Sequence, residues 1–265
     1  MNNNPIGVFD SGIGGLTVLK ELRRSFQNEN FIYLGDTARV PYGTKSKKTV
    51  TKYAVQIIDF LLQKKVKLIV VACNTVSSNS LDSLRKCYRV PLTGVIEPGV
   101  KMALMHTKNK RIGVIGTKAT ISSNMYKKLL LKKDKNVKVF SKPCPLFVSL
   151  VEEGWFNNEI SLKIAHRYLD EFKKRKIDTL ILGCTHYPML IPVIRKVLNN
   201  TFFINSGKAV AEEVKNILNS NNLSADKKRS GKTIFYFTDL TPLVITLGEK
   251  ILNEKMKNIK NISLE

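Results

Sequence analysis

Short apolar runs alternate with helix-periodic segments along nearly the whole 265-residue chain, and no other feature constrains the fold as tightly. "IGVFD" (6–10), "FIYLGD" (31–36), "KLIVVAC" (67–73) and "RIGVIGT" (111–117) have the length and β-branched content of strands. "VKVFS" (137–141), "TLILGC" (179–184), "TFFIN" (201–205) and "KTIFYF" (232–237) repeat the type. "GGLTVLKELRRSF" (14–26) and "KKTVTKYAVQIIDFLLQKK" (47–65) instead space their apolar residues for a helix. The strand runs are continuously apolar, as expected of strands covered on both faces, which is the condition of parallel sheets. The pattern predicts an α/β fold built from strand–helix units.

The units fall into two halves. "GVFDSGIGGLTVL" and "GVIGTKATISSNM" both read as strand, small polar turn, helix. Downstream of each, after nearly equal lengths of chain, comes an apolar strand ending in a cysteine: "VVACNT" and "LILGCTHYP". Ligands of open α/β sheets bind beyond the carboxyl ends of the strands. Two such halves facing each other would enclose one site, with Cys73 on one side and Cys184 on the other.

Composition excludes several classes. At 43% hydrophobic the chain is globular rather than disordered. No apolar run approaches the roughly 18 residues of a membrane span. "MNNNPIGVFDSG" lacks a signal peptide's charged start and apolar core, so a soluble, cytoplasmic protein is expected. Four cysteines do not make a disulfide framework at this length. The formal charge of +23 opens a nucleic-acid reading. That reading is not favoured, because no aromatics interleave with the basic clusters as stacking platforms. Lys, Asn and Ile are all abundant, a bias expected of AT-rich coding sequence, and most of the lysines read as solvated surface.

The glycine-rich "FDSGIGGL" could cradle an anion with backbone N–H groups at a helix entrance. The dinucleotide fingerprint fails, because Thr17 stands where its third glycine belongs, and no P-loop occurs. Cys73 and Cys184 each precede residues able to open a helix, Asn74-Thr75 and Thr185-His186, so a helix N-terminus should favour thiolate at each. A metal is not expected, since Cys184 and His186 alone complete no zinc shell and Cys73 has no neighbouring ligand. The absence of CxxC speaks against a redox dithiol. Cys87 and Cys144 are read as structural cysteines, and His106 and His166 as surface residues of helices. "DTARVPYGTKS" (36–46) reads as a functional loop whose Tyr42 and Gly43 could offer donors to a carboxylate. In "LVEEGW" (150–155), Glu152 is either a site acid or a helix-end residue.

With these motifs in order, "VFDSGIGGLTVL", "YLGDTARVPYG", "VVACNT", "VIGTKAT", "PLFVSLVEEGW" and "LILGCTHYPML", the chain resembles the bacterial glutamate racemases nearly end to end. Two positions depart from that family's usual pattern: Asn205, where Asp is usual, and Ser149, where Pro is common. The resemblance implies two pseudo-symmetric α/β domains with mainly parallel sheets and the active site at their interface. It implies a discontinuous first domain, 1–95 plus 207–265, carrying Asp10 and Cys73, and a second, 96–206, carrying Cys184. It implies an isomerase that interconverts L- and D-glutamate without pyridoxal phosphate, metal or other cofactor, supplying D-glutamate for peptidoglycan, and a homodimer. Cys73 and Cys184 would be the catalytic thiols on opposite faces of the α-carbon. Asp10, His186 and Glu152 would be auxiliary acids and bases. Asp10, Ser11, Tyr42, Gly43, Asn74, Thr75, Thr185 and His186 would bind substrate. The alternatives are a racemase of aspartate or another small acidic amino acid, and a basic nucleic-acid-binding protein on a racemase scaffold.

Overall fold

The computed structural model describes residues 1–264 except Lys227 and Arg229. Its first segment runs β1 (Ile6–Asp10), α1 (Leu16–Ser25), β2 (Phe31–Gly35), α2 (Lys47–Gln63), β3 (Leu68–Val71), α3 (Asn74–Asn79), α4 (Leu81–Cys87), β4 (Leu92–Gly94) and α5 (Ile96–His106). There follow β5 (Arg111–Gly116), α6 (Lys118–Ser122), α7 (Met125–Lys133), β6 (Lys138–Pro143), α8 (Leu146–Glu152), α9 (Glu159–Lys174), β7 (Thr179–Gly183), α10 (Ile191–Val197) and β8 (Phe202–Ile204). The chain ends with α11 (Ser206–Ser220), β9 (Thr233–Phe237), α12 (Pro242–Leu252) and β10 (Ile259–Asn261).

These strands form two sheets, one ordered β10-β9-β2-β1-β3-β4 and the other β6-β5-β7-β8. Every pairing is parallel. The expected α/β class with mainly parallel sheets is what the chain adopts. The order β2-β1-β3-β4 repeats as β6-β5-β7-β8, so β1 corresponds to β5 and β3 to β7. The internal repeat read from the two turn-and-cysteine motifs is therefore also a repeat of topology. β9 and β10 extend the first sheet alone.

Parallel strands buried on both faces explain the continuous apolar runs: β1, β2, β3 and β7 have no residue outside the core. One face of the first sheet packs with Leu16, Leu19 and Leu22 of α1, Val210 and Val214 of α11, and Leu247 and Ile251 of α12. Its other face packs with Ile57, Ile58 and Leu61 of α2 and with Val76 and Leu84. The second sheet is covered likewise, by α8, α9 and α10 on one side and α5 and α7 on the other. Phe156 and Met189 are partly buried against both the first sheet's core and the second's.

The sequence reading missed β4 and β10. Each has three residues and, unlike the equally short β8, lies in no continuous apolar run; Lys260 and Asn261 of β10 are exposed. Expected strand ends were a residue or two too long near the cysteines. β3 stops at Val71 and β7 at Gly183, and the chain then leaves the sheet. Asn205 caps α11 through its side-chain oxygen, which accepts from Gly207 N–H at 2.8 Å. An amide oxygen serves there as a carboxylate would, so that departure leaves the helix entrance intact. Ser149 lies on the exposed side of α8. No described helix is long and apolar enough to cross a membrane.

Candidate active site

The paired strands β1 and β3 end beside each other, as do β5 and β7. Past their carboxyl ends lie Ser11 and Cys73 from the first sheet, and Thr117 and Cys184 from the second. All four line one small cavity, together with Tyr42, Gly43, Asn74, Thr75, Thr185 and His186. Val40, Pro41 and Val148 complete the wall. Both cysteines are free thiols, 4% and 6% exposed. The enclosed space is about 20 Å³, room for about one water. Wider surface clefts exist, such as one of about 430 Å³ beside Phe26 and Lys215, but it gathers no cysteine or histidine.

The glycine-rich turn does something other than the expected anion cradling. Its N–H groups are taken by the chain's own Asp10: Gly12 and Gly15 donate to Asp10 Oδ2 at 3.3 and 2.9 Å. A side chain on Gly15 would meet Asp10 Cβ at 2.4 Å, so the glycine is there to let the carboxylate fold back under the turn. Thr185 Oγ1 donates to the same carboxylate across the two halves, at 3.3 Å. Asp10 is fully buried and stands behind the cavity rather than in its wall. Burial pushes its carboxyl up, against the pull of His186 and the turn's N–H groups. Thr17 donates to Gly14 O at 2.8 Å and to Thr185 O at 3.0 Å, so the residue that breaks the dinucleotide fingerprint ties the first turn to the second cysteine motif.

The two thiols differ in surroundings. Cys73 caps α3 from its N-terminal end. Burial and the neighbouring Asp10 push its thiol up to about 12, while the N–H of Val76 and the hydroxyl of Ser11 pull the other way. The expected helix-end preference for thiolate is thus present at Cys73 but outweighed by desolvation. Cys184 Sγ lies 3.7 Å from His186 Nδ1. Burial alone would depress the His186 imidazole, but hydrogen bonding to Cys184 and the Glu152 carboxylate push it up to about 10. Its Nε2 is 3.3 Å from Glu152 Oε1, an ion-pair distance, although misaligned for a hydrogen bond. Glu152 ends α8 and is partly exposed; like Asp10 it stands behind the wall, against the histidine.

The loop after β2 presents Tyr42 and Gly43 to the cavity, but the Tyr42 hydroxyl is engaged elsewhere. It donates to Asp36, whose carboxylate also accepts from Arg39 Nε at 2.7 Å and Thr238 Oγ1 at 2.8 Å. The expected hydroxyl donor is therefore an anchor for the loop. Thr117 is the polar lining residue that the sequence reading passed over, beside the apolar Val40, Pro41 and Val148. Its hydroxyl is 3.0 Å from those of Thr75 and Thr120. The signal was available, since Thr117 occupies in the second half the place of the Asp10-Ser11 turn in the first.

Cys144 is buried as expected of a structural cysteine, and burial pushes its thiol up. Cys87 is exposed, so packing does not account for it. His106 stacks on Phe202, and His166 lies 3.0 Å from Asp170, both at the surface. Among the described residues no three His, Cys, Asp or Glu side chains gather as a metal site.

The chain is similar to known proteins over nearly its whole length. A family profile described as Asp/Glu/Hydantoin racemase matches residues 6–214. The glutamate racemase of Aquifex pyrophilus is 49% identical over 247 residues, covering 93% of each chain. A crystal structure of the glutamate racemase from Francisella tularensis subsp. tularensis SCHU S4 in complex with D-glutamate superposes with a TM-score of 0.94 at 40% identity, covering 100% of this chain and 99% of that one. By contrast, the aspartate racemase of Picrophilus torridus is 18% identical with a TM-score of 0.58, covering 84% of this chain and 97% of its own, and shares the fold. Two buried cysteines facing one cavity from the ends of repeated strands thus sit in a chain that is an amino-acid racemase and belongs to the glutamate racemase family.

Proposed function

We propose that the protein interconverts L- and D-glutamate by a two-thiol mechanism that needs no cofactor, and that its D-glutamate enters peptidoglycan. The observation that carries the mechanism is one closed cavity lined by Cys73 and Cys184 from corresponding positions of the repeat. Inverting a stereocentre needs a base on one face and an acid on the other. With L-glutamate bound, the Cys184 thiolate takes the α-proton, and the C–H electron pair stays on the substrate carbon. The Cys73 thiol then gives its proton to the opposite face and becomes thiolate. In the D-to-L direction the roles exchange. The surroundings suit these roles. Cys73, pushed up to about 12, holds its proton at neutral pH. His186, protonated below about 10, can exchange a proton with Cys184. Asp10, whose carboxyl is also pushed up, is the group able to take the proton of Cys73.

An α-proton is far less acidic than a thiol, so the carbanion must be stabilised where it forms. The cavity has room for about one water, and donors from Ser11, Gly43, Asn74, Thr75 and Thr185 surround it, which is the arrangement for holding carboxylates and developing charge. The space is much smaller than an amino acid, so substrate entry requires the two sheets and their loops to part. We assign 1–95 with 207–265 to one moving domain and 96–206 to the other, a division supported by the separate sheets. A cytoplasmic homodimer belongs to the same proposal.

A chiral amino-acid assay with no added cofactor tests this reading. Glutamate should be racemised with a kcat/KM at least about 10²-fold above that for aspartate, because a shorter acid leaves buried donors unpaired. Dialysis against a chelator should leave the rate unchanged. Faster turnover of aspartate, or loss of activity on dialysis, would sink the assignment.

The tightness of the glycine-rich turn gives a second expectation. A methyl on Gly14 would meet Thr185 Oγ1 at 2.5 Å and His186 Nδ1 at 2.6 Å. Gly14→Ala should therefore push the second cysteine motif out of line and lower kcat by about 10²-fold, the scale of a misplacement near 1 Å. Rates and melting curves read together check it; full activity in the variant would mean the turn and the motif are not in register.

A further inference from the structure

Asn74 opens α3 beside Cys73, and its side chain carries one acceptor and two donor hydrogens. Which end faces the cavity decides whether it can hold an anion. Tyr126, from α7, supplies the answer. Its hydroxyl donates to Asn74 Oδ1 at 2.7 Å. With the oxygen taken, the amide nitrogen is left as the free end. Nδ2 is buried and has no hydrogen-bond partner in the structure, and Asn74 lies in the cavity wall. A buried donor without an acceptor destabilises an empty protein and is offset only when a ligand supplies the acceptor.

We propose that Tyr126 is a positioning residue for racemisation, orienting the Asn74 amide so that its NH2 group meets an anionic oxygen of the substrate. The inference rests on the racemase reading above. The tyrosine suits the task. It is 3% exposed, and burial pushes its phenol well above the ordinary range, so the hydroxyl remains a donor at any working pH. Without that bond the amide is free to turn its oxygen toward the substrate carboxylate, which repels it. Tyr126 follows β5 of the second sheet and Asn74 follows β3 of the first. The donor is therefore correctly aimed only when the two sheets are seated against each other, which links substrate capture to closure.

Steady-state kinetics of Tyr126→Phe, Asn74→Ala and the double variant test the proposal. Tyr126→Phe should raise KM for glutamate about 10-fold, equivalent to about 1.4 kcal/mol, with kcat within about twofold. Asn74→Ala should raise KM at least as much. The double variant should be no worse than Asn74→Ala, because without the amide the hydroxyl has nothing to orient. An unchanged KM in Tyr126→Phe, or effects that simply add in the double variant, would overturn the proposal. Asn74→Asp probes the same orientation without touching the tyrosine. It keeps the acceptor for Tyr126 and turns a carboxylate oxygen inward, so it should bind glutamate worse than Asn74→Ala. Binding as tight as the parent's would also overturn the proposal. Calorimetric binding of glutamate reads the same ranking without turnover. A parent protein that binds glutamate in this ranking but does not racemise it would remove the racemase reading and leave the role of Tyr126 standing.

Discussion

Replacing Cys73 with alanine should cut D-glutamate formation from L-glutamate by about 10⁴-fold, the upper end of what one general acid or base contributes. The upper end is expected because no other group of the first sheet that lines the cavity can deliver a proton there. The cavity has room for about one water, the first-sheet side chains that line it with the thiol, Ser11, Asn74 and Thr75, are not acidic, and Asp10 stands behind the wall rather than in it. Cys184→Ala should cost as much, since it removes the base that starts the same reaction. The effects should not multiply in the double variant, because either loss already abolishes the inversion. Cys87 and Cys144 serve as internal controls. Cys87 is exposed and should be replaceable by alanine within about twofold in rate, as surface substitutions away from special features usually are. Cys144 is wholly buried among the second sheet's core residues, so Cys144→Ala should lower the melting temperature while folded enzyme keeps its turnover. Chiral chromatography of timed samples measures the rates of all five variants, and a thermal melt measures the stability of Cys144→Ala. A Cys73→Ala protein racemising at the parent's rate would end the two-thiol assignment and leave the fold untouched.

The cysteine pair was legible in the sequence because its signal is doubled. Each Cys follows a strand buried on both faces, and such strands announce themselves as continuous apolar runs. The repeat then says that the two strand ends correspond. What was not legible is whatever depends on the third dimension at side-chain scale. Asp10 is expected from the resemblance as an auxiliary acid or base that also binds substrate. Only its three-dimensional contacts reveal that Gly12, Gly15 and Thr185 have claimed its oxygens. The Tyr42 hydroxyl reads as a free donor in a polar loop, but Asp36, six residues earlier, holds it. A helix end after a cysteine reads as a stabiliser of thiolate; how deeply the sulfur is buried has no local signature, and burial dominates at Cys73. β4 and β10 escaped notice because, unlike the equally short β8, neither lies in a continuous apolar run, and Tyr126 because one aromatic in a lysine-rich helix looks like ordinary core packing.

Racemisation in heavy water should put deuterium on the α-carbon of essentially every early D-glutamate molecule made from L-glutamate, while the unreacted L-glutamate stays largely protiated. The reason is that two thiols serve two faces. The hydrogen that Cys184 removes cannot be the one that Cys73 returns. The proton on Cys73 has equilibrated with solvent before the substrate closes the cavity. Return of the original hydrogen to the L face, from the Cys184 thiol that has just accepted it, leaves no isotopic trace. The structure makes the two thiols unequal, with Cys73 pushed up to about 12 and backed by a carboxylate, and Cys184 backed by the His186–Glu152 pair. That inequality cannot favour one direction overall. Enantiomers in water have equal free energies, so kcat/KM must be the same for L- and D-glutamate in this enzyme and in every variant of it. Whatever asymmetry the thiols impose has to appear as matched changes in kcat and KM. Isotope incorporation escapes this constraint, because it reports which proton moved rather than how fast. Asp10→Asn, which removes the group placed to take the proton of Cys73, should therefore lower kcat/KM equally in both directions and leave the deuterium pattern intact. Mass spectrometry or proton NMR on product isolated in the first few per cent of conversion reads the outcome. Early D-glutamate that keeps its original hydrogen would mean that a single base works both faces, and the pairing of Cys73 with Cys184 would then need another explanation.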